Sequence, residues 1–143
     1  MRCCFAAAKT RSAQHRRYAL QRSFSLKKNR EFHFVYRSGK SAGSRSVVLI
    51  YTHARHRSVR VGFSVSKKVG NAVTRNKVKR RMRDAFFRYL PYVKTGYSLV
   101  FIAKANIADE SFEQIHRHIG STLRRANLLA PSNAQPEKKV NHA

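Results

Sequence analysis

Residues 67–86 read KKVGNAVTRNKVKRRMRDAF, and this stretch combines a helical apolar pattern with dense positive charge. The apolar positions start at Val73, and from Val78 to Tyr89 they recur at steps of four, three and four. That spacing predicts an α-helix with one core-facing stripe, which ends near Pro91. The segment is therefore predicted to be buried on one side and charged on the other.

The cations of this predicted helix are also regularly spaced. Arg75, Lys79 and Arg83 follow one another at intervals of four, so they are expected to form a ridge along the helix. Four further cations broaden this ridge into a face: Lys77, Arg80, Arg81 and Arg88. Like charges four residues apart destabilise an isolated helix by a few tenths of a kcal/mol per pair, and phosphates of a ligand would reverse that sign. The pattern indicates a polyanionic partner.

The composition of the whole chain supports this interpretation. Its 143 residues include 31 Lys and Arg against 6 Asp and Glu, for a formal net charge of +25. Such self-repulsion costs stability, so a polyanionic partner is the economical explanation. Apolar runs long enough to span a bilayer, exposed bulky amphipathic helices and lipidation signals are absent from the sequence, which argues against a membrane partner. Nucleic acid is the predicted partner.

Strand and helix patterns alternate around the basic segment. The stretch LKKNREFHFVYRSG, 26–39, predicts a short helix that stops at its glycine. The β-branched run 44–52 and the alternating run 59–66 are joined by a short polar loop, which predicts an antiparallel hairpin with one buried face. The nearly continuous apolar run 96–105 predicts a central strand, and a last helix is expected to begin near Asp109.

These elements predict an α+β fold with a small sheet. The predicted order is α, β, β, α, β, α, with a further short strand expected over Lys40–Gly43. Residues 25–130 are predicted to form a single RNA-binding domain. The basic arm 1–24 and the polar tail 131–143 are expected to be disordered.

The N-terminal arm leaves several interpretations open. It contains no acid and several Arg and Ser residues, which is typical of a mitochondrial transit peptide and equally of a disordered basic arm or an upstream misassigned start. Cys3 and Cys4 are adjacent, with no second pair to complete a zinc site or a disulfide framework. Two free thiols fit a reducing, cytoplasmic location.

Catalysis by the chain itself is not expected. Its acids are too sparse for a two-metal carboxylate site. The close histidine pairs, His53 with His56 and His116 with His118, leave a metal-independent nuclease as a minor alternative.

The type of nucleic acid is indicated by what the sequence has and lacks. There is no zinc-finger spacing, heptad zipper or clear helix-turn-helix pattern, whereas aromatic side chains accompany the basic ones. Unstacked RNA bases lie on aromatic rings while Arg and Lys hold phosphates. Phe32 and Tyr36, four residues apart, are equally good candidates for such rings and for plain core residues.

At SVSKKVGNAVTRNKVKRRMRDAF, 64–86, the sequence resembles the protein component of bacterial ribonuclease P. The similarity runs from about Leu26 to Leu129, and the string SKKVGNAVTRNKVKR is much more specific than a generic basic patch. The resemblance implies the order α-β-β-β-α-β-α, with the basic helix in a left-handed β-α-β crossover. It also implies that an RNA subunit performs magnesium-dependent hydrolysis of precursor tRNA, with the protein as a non-catalytic, monomeric partner of ribonuclease P RNA.

The resemblance also implies two sets of site residues. Those expected to contact the catalytic RNA are Arg75, Asn76, Lys77, Lys79, Arg80 and Arg83. Those expected to line a cleft for the 5′ leader of precursor tRNA are Phe32, Tyr36, Ile50, Ser64, Ser66, Lys68 and Ala103. Lys77 replaces the usual arginine and so lacks the planar fork that holds phosphate bidentately. Ile50 stands where an aromatic residue is common in the family.

A second function from another class is a structural RNA-binding protein such as a ribosomal protein. Basic composition and a small α+β fold are equally normal there. The specific string around the basic helix is what favours the ribonuclease P interpretation.

Overall fold

The computed structural model describes residues 24–55 and 57–130. Three helices and four strands make up this part of the chain. In chain order they are α1 (Asn29–Ser38), β1 (Lys40–Gly43), β2 (Val47–His53), β3 (Arg60–Val65), α2 (Ala72–Tyr89), β4 (Tyr97–Ala103) and α3 (Phe112–Arg125). The predicted α+β class and the order α-β-β-β-α-β-α are confirmed. The arm 1–23, the tail from 131 and His56 lie outside the described residues, so the predictions for them stay predictions.

The four strands form one mixed sheet in the order β1-β2-β4-β3. β4 is the centre, as its apolar sequence predicted, and pairs antiparallel with β2 and parallel with β3. The predicted hairpin between the second and third strands is wrong, because β4 lies between them. Since α2 connects the parallel neighbours β3 and β4, it is the crossover that the resemblance implied. The left hand of that crossover stays a prediction.

The main core lies between one face of the sheet and the helices α2 and α3. Alternate strand residues point into it because side chains switch faces at every position of a strand. From β4 these are Leu99, Phe101 and Ala103, and the rings of Phe101, Phe63 and Phe86 contact one another with centroids 5.2–6.2 Å apart. The stripe predicted for α2 is confirmed from Val78 onward. Val73 is not part of it, since 76% of this residue is exposed.

Local capping fixes where α2 and α3 begin. The side chain of Asn71 accepts hydrogen bonds from the backbone N–H and the hydroxyl of Thr74, both at 2.9 Å. Ser111 and Gln114 form a reciprocal capping box at the start of α3. Gly70, with φ at 149°, supplies the turn before Asn71 that a side chain would strain.

α1 covers the opposite face of the sheet. Its Val35 is buried with Val100 of β4 and Leu26, and these three form a second, smaller cluster. At this face a helix ten residues long covers only part of the sheet, and a groove remains between it and the end of β2. Within the described ranges no helix is both long and apolar enough to cross a membrane.

Candidate nucleic-acid interface

The basic face of α2 points away from the core. The helix carries seven cations, Arg75, Lys77, Lys79, Arg80, Arg81, Arg83 and Arg88, and one acid, Asp84. Asn76, Lys77, Lys79 and Arg80 are exposed, whereas Arg75 and Arg83 are half-buried. The exposed members of the set expected to contact RNA lie away from the buried Val78 and Met82, whereas Arg75, three residues before Val78, lies beside the buried stripe.

Two of the seven cations contact other parts of the protein. Arg81 donates a hydrogen bond to the backbone oxygen of Glu110 at 3.3 Å, which ties α2 to the segment before α3. The guanidinium of Arg88 lies over the ring of Phe112, 4.9 Å from its centroid. The basic face is thus narrower than the sequence indicated, because Arg81 and Arg88 contact the segment around the start of α3.

The positive surface continues beyond the start of α2. Ser66, Lys67 and Lys68 are exposed in the short 3₁₀ turn that follows β3. Because the N-terminal end of a helix carries a partial positive charge, these lysines and the first turn of α2 add to the same potential. Arg75, in that first turn, has a buried Nε with no hydrogen-bond partner.

Three cross-strand rows organise the α1 side of the sheet. They are Val48 with Ile102 and Ser64, then Ile50 with Val100 and Gly62, then Thr52 with Ser98 and Arg60. α1 lies across the strands over the middle row, as two close approaches show. A side-chain carbon added to Gly62 of this row would come within 2.6 Å of the Phe32 ring, and one added to Gly39, at the end of α1, would come within 2.5 Å of Ile50. The helix therefore separates the first row from the third.

Several predicted leader-cleft residues lie on the first-row side of α1 or in the middle row beneath it. Phe32 is half-buried over Gly62, and Tyr36, one turn later on the same flank, is 41% exposed. Ile50 and Ser64 are half-buried on this face of the sheet, and Ser66 and Lys68 extend it toward α2. Phe32 packs with one part of its surface and is accessible with the rest, so its role as a ring for RNA bases stays a prediction.

Ala103 does not join this cleft. It has the same strand parity as Leu99 and Phe101, is 3% exposed, and packs in the main core on the other face of the sheet. We therefore leave its side chain out of the cleft, as a correction of the sequence-based assignment. Its strand neighbour Ile102 is half-buried and packs on the α1 side in its place.

His116 and His118, a close pair in the sequence, contact different residues. The ring of His116 stacks on Tyr89 with centroids 4.5 Å apart, and the Tyr89 hydroxyl lies 3.2 Å from His116 Nδ1. Burial, together with the charge of Arg88, lowers the pKa of His116, so it is neutral near pH 7. His118 instead lies 3.6 Å from Glu110. His116 is thereby a packing residue between α2 and α3.

Sequence reasoning missed a second groove, on the third-row side of α1. Phe34 and the end of β2 border it, with Phe34 56% exposed. The only sequence signal was an aromatic residue midway between Phe32 and Tyr36, which helical spacing places on the opposite flank.

Comparisons with known proteins agree with this geometry. The sequence model of the family Ribonuclease P matches residues 20–127. The ribonuclease P protein component of Clostridium botulinum is 41% identical over 72% of this chain and 94% of its own. That of Chloroflexus aurantiacus is 38% identical over 80% of this chain and 86% of its own.

A solved structure of the Staphylococcus aureus RNase P protein superposes with a TM-score of 0.70 at 31% identity, covering 75% of this chain and 98% of that one. The family model thus spans the part of the chain that carries α1 to α3. The chain therefore belongs to the ribonuclease P protein family, whose members are subunits of a ribonucleoprotein endoribonuclease of tRNA processing.

Proposed function

We propose that this chain binds ribonuclease P RNA through the basic face of α2 and the single-stranded 5′ leader of precursor tRNA through the cleft beside α1. The observation that carries the proposal is the continuity of the two surfaces. Ser64 in the cleft is followed by exposed Ser66 and Lys68, and then by the first turn of α2 with Arg75. A leader lying in the cleft would run toward the RNA-binding helix.

The chemistry of each surface fits its partner. Exposed Lys77, Lys79 and Arg80 suit phosphates, and binding them releases counterions without reading sequence. In the cleft, the accessible ring of Tyr36 and the edge of Phe32 suit unstacked bases, while the hydroxyl of Ser64 suits a sugar or phosphate oxygen. Half-buried Ile50 supplies apolar contact rather than stacking.

Hydrolysis is assigned to the RNA subunit, with magnesium bound mainly by that RNA. Across the described ranges, no three His, Cys, Asp or Glu side chains come together as a metal-binding group. The cations of α2 would oppose a magnesium ion in the absence of phosphate. The contribution of this chain is then to position the leader and to lower the repulsion between RNA phosphates. A cytoplasmic location and a monomeric chain within the ribonucleoprotein complete the proposal.

The leader assignment is tested by comparing precursor with mature tRNA. A holoenzyme of this chain and a bacterial ribonuclease P RNA should bind precursor tRNA more tightly than the RNA alone does, with no such gain for mature tRNA. Tyr36→Ala should reduce the precursor-specific gain by about fivefold or more, as expected for loss of one base-stacking ring, and Tyr36→Phe should retain it. Equal gains for precursor and mature tRNA would contradict the leader cleft.

A further inference from the structure

The second groove beside α1 has the features of a nucleotide-binding surface. We call it the distal groove and define it by Arg30, Phe34, His53, Arg55, Arg60 and Ser98. It lies on the third-row side of the sheet, so α1 stands between it and the leader cleft.

Phe34 is the aromatic residue of the distal groove. It is 56% exposed, although it sits on a helix whose Val35 is fully buried next to it. It lies two positions from both Phe32 and Tyr36, which turns it about 200° away from them around the helix. A large ring exposed at the edge of a concave surface is available for stacking and contributes little to the core.

Cations surround that ring. Arg30, one turn before Phe34 on the same flank, and Arg55, after β2, are both exposed. The Arg60 guanidinium forms an ion pair with the Glu31 carboxylate, with 2.7 Å between Nη1 and Oε1, which fixes the position of the Arg60 side chain. His53 packs against Tyr97 with ring centroids 4.8 Å apart and forms an aromatic wall at the end of β2. An accessible ring flanked by arginines is the arrangement that grips single-stranded RNA through base stacking and phosphate contacts.

We propose that the distal groove binds nucleotides of the precursor tRNA leader that lie upstream of those in the leader cleft. This proposal rests on the proposed function. The outer surface of α1 connects the two grooves, since His33 and Arg37 are exposed there between Tyr36 on one flank and Arg30 on the other. An α-helix is only ~10 Å across, so an extended leader can cross it and reach Phe34.

The proposal predicts that long leaders gain affinity through Phe34. Precursor tRNAs whose leaders are lengthened one nucleotide at a time are bound to the holoenzyme containing wild-type chain, Phe34→Ala or Tyr36→Ala. Wild-type affinity should rise in two steps, first when the leader fills the cleft and again when it reaches the distal groove. Phe34→Ala should keep the first step and lose the second, about fivefold or more, the amount of one base–aromatic stack.

The variants separate failure of this proposal from failure of the leader cleft. Tyr36→Ala should lower the first step, and if it does not, the leader cleft itself is wrong. If Tyr36→Ala acts as expected but Phe34→Ala shows an unchanged second step, or wild type shows none, the distal groove does not bind leader. Weaker assembly of Phe34→Ala with the catalytic RNA alone would assign the groove to that RNA and also overturn the proposal. Thermal unfolding checks that exposed Phe34 can be removed without loss of stability.

Discussion

Replacing Gly62 by alanine should disturb the leader cleft from beneath. The added carbon would lie 2.6 Å from Cζ of Phe32, whereas ordinary contacts begin at 3.4 Å, and Cε1 lies closer still. The Phe32 ring must therefore move away by about 1 Å. Overpacking of this kind lowers the free energy of unfolding by ~1–3 kcal/mol. For a domain of this size that corresponds to a fall of roughly 5–20 °C in the unfolding midpoint.

The same displacement should weaken leader binding. If the ring no longer supports a base, precursor tRNA affinity should fall by up to the ~1–3 kcal/mol of one stack, about fivefold to a hundredfold, while mature tRNA affinity stays unchanged. Gly43→Ala is the matched control, because a carbon there has no neighbour within 4 Å. Differential scanning calorimetry and equilibrium binding to the holoenzyme measure the two effects.

A double variant sharpens this prediction. Adding Phe32→Leu to Gly62→Ala removes the clash, so the unfolding midpoint should recover in part while leader affinity stays low, a coupling that residues in contact are expected to show. If Gly62→Ala matches Gly43→Ala in both stability and precursor affinity, the Phe32 ring is not seated over Gly62 and the derivation of the cleft is refuted.

Three further predictions concern α2 and its packing. Arg80→Ala with Arg83→Ala should lower RNA affinity and flatten its salt dependence by about 1.4–1.8 in log–log slope, the value for two lost phosphate contacts; an unchanged slope would show that the contact face is elsewhere. Gly120→Ala would place a carbon 2.5 Å from the Tyr89 hydroxyl, so a lower unfolding midpoint is expected, and wild-type stability would contradict that packing. The pKa of His116 is lowered in the folded chain, so the stability that its neutral form contributes is fully present above the ordinary pKa near 6.5 and is lost as the pH falls below it. Wild type should therefore lose more stability than His116→Gln when the pH is lowered through this range. Parallel curves of stability against pH for the two proteins would contradict this.

The helices and strands could largely be predicted because their sequence patterns are local. The stripe from Val78 to Tyr89 has helical spacing, and its core-facing residues are buried as expected. Val73 is exposed for a reason visible in hindsight: five residues before Val78, it is turned about 140° away from the stripe.

Strand pairing could not be predicted because it is not local. Residues 47–53 and 60–65 are close in sequence and were expected to pair, yet β4 from the far side of α2 inserts between them. Nothing in the alternation of a strand specifies its neighbour.

The residues of the candidate site could be predicted where the two faces of a strand differ in polarity. The prediction failed where both faces are apolar. Ser64 and Phe63 differ in character, so the outward side of β3 was evident. β4 is apolar on both faces, which hid the fact that Ala103 points to the core and Ile102 to the α1 side. Likewise, the contacts of Arg81 and Arg88 with the α3 region depend on how two helices meet, which a list of charges does not contain.

The most direct test of the account is cleavage of a precursor tRNA at low magnesium concentration by purified chain, by a bacterial ribonuclease P RNA, and by both together. The account predicts accurate removal of the leader only by the mixture, which would place catalysis on the RNA and the supporting role on this chain. Cleavage by the purified chain alone would contradict it, and so would a compatible RNA whose activity the chain does not stimulate.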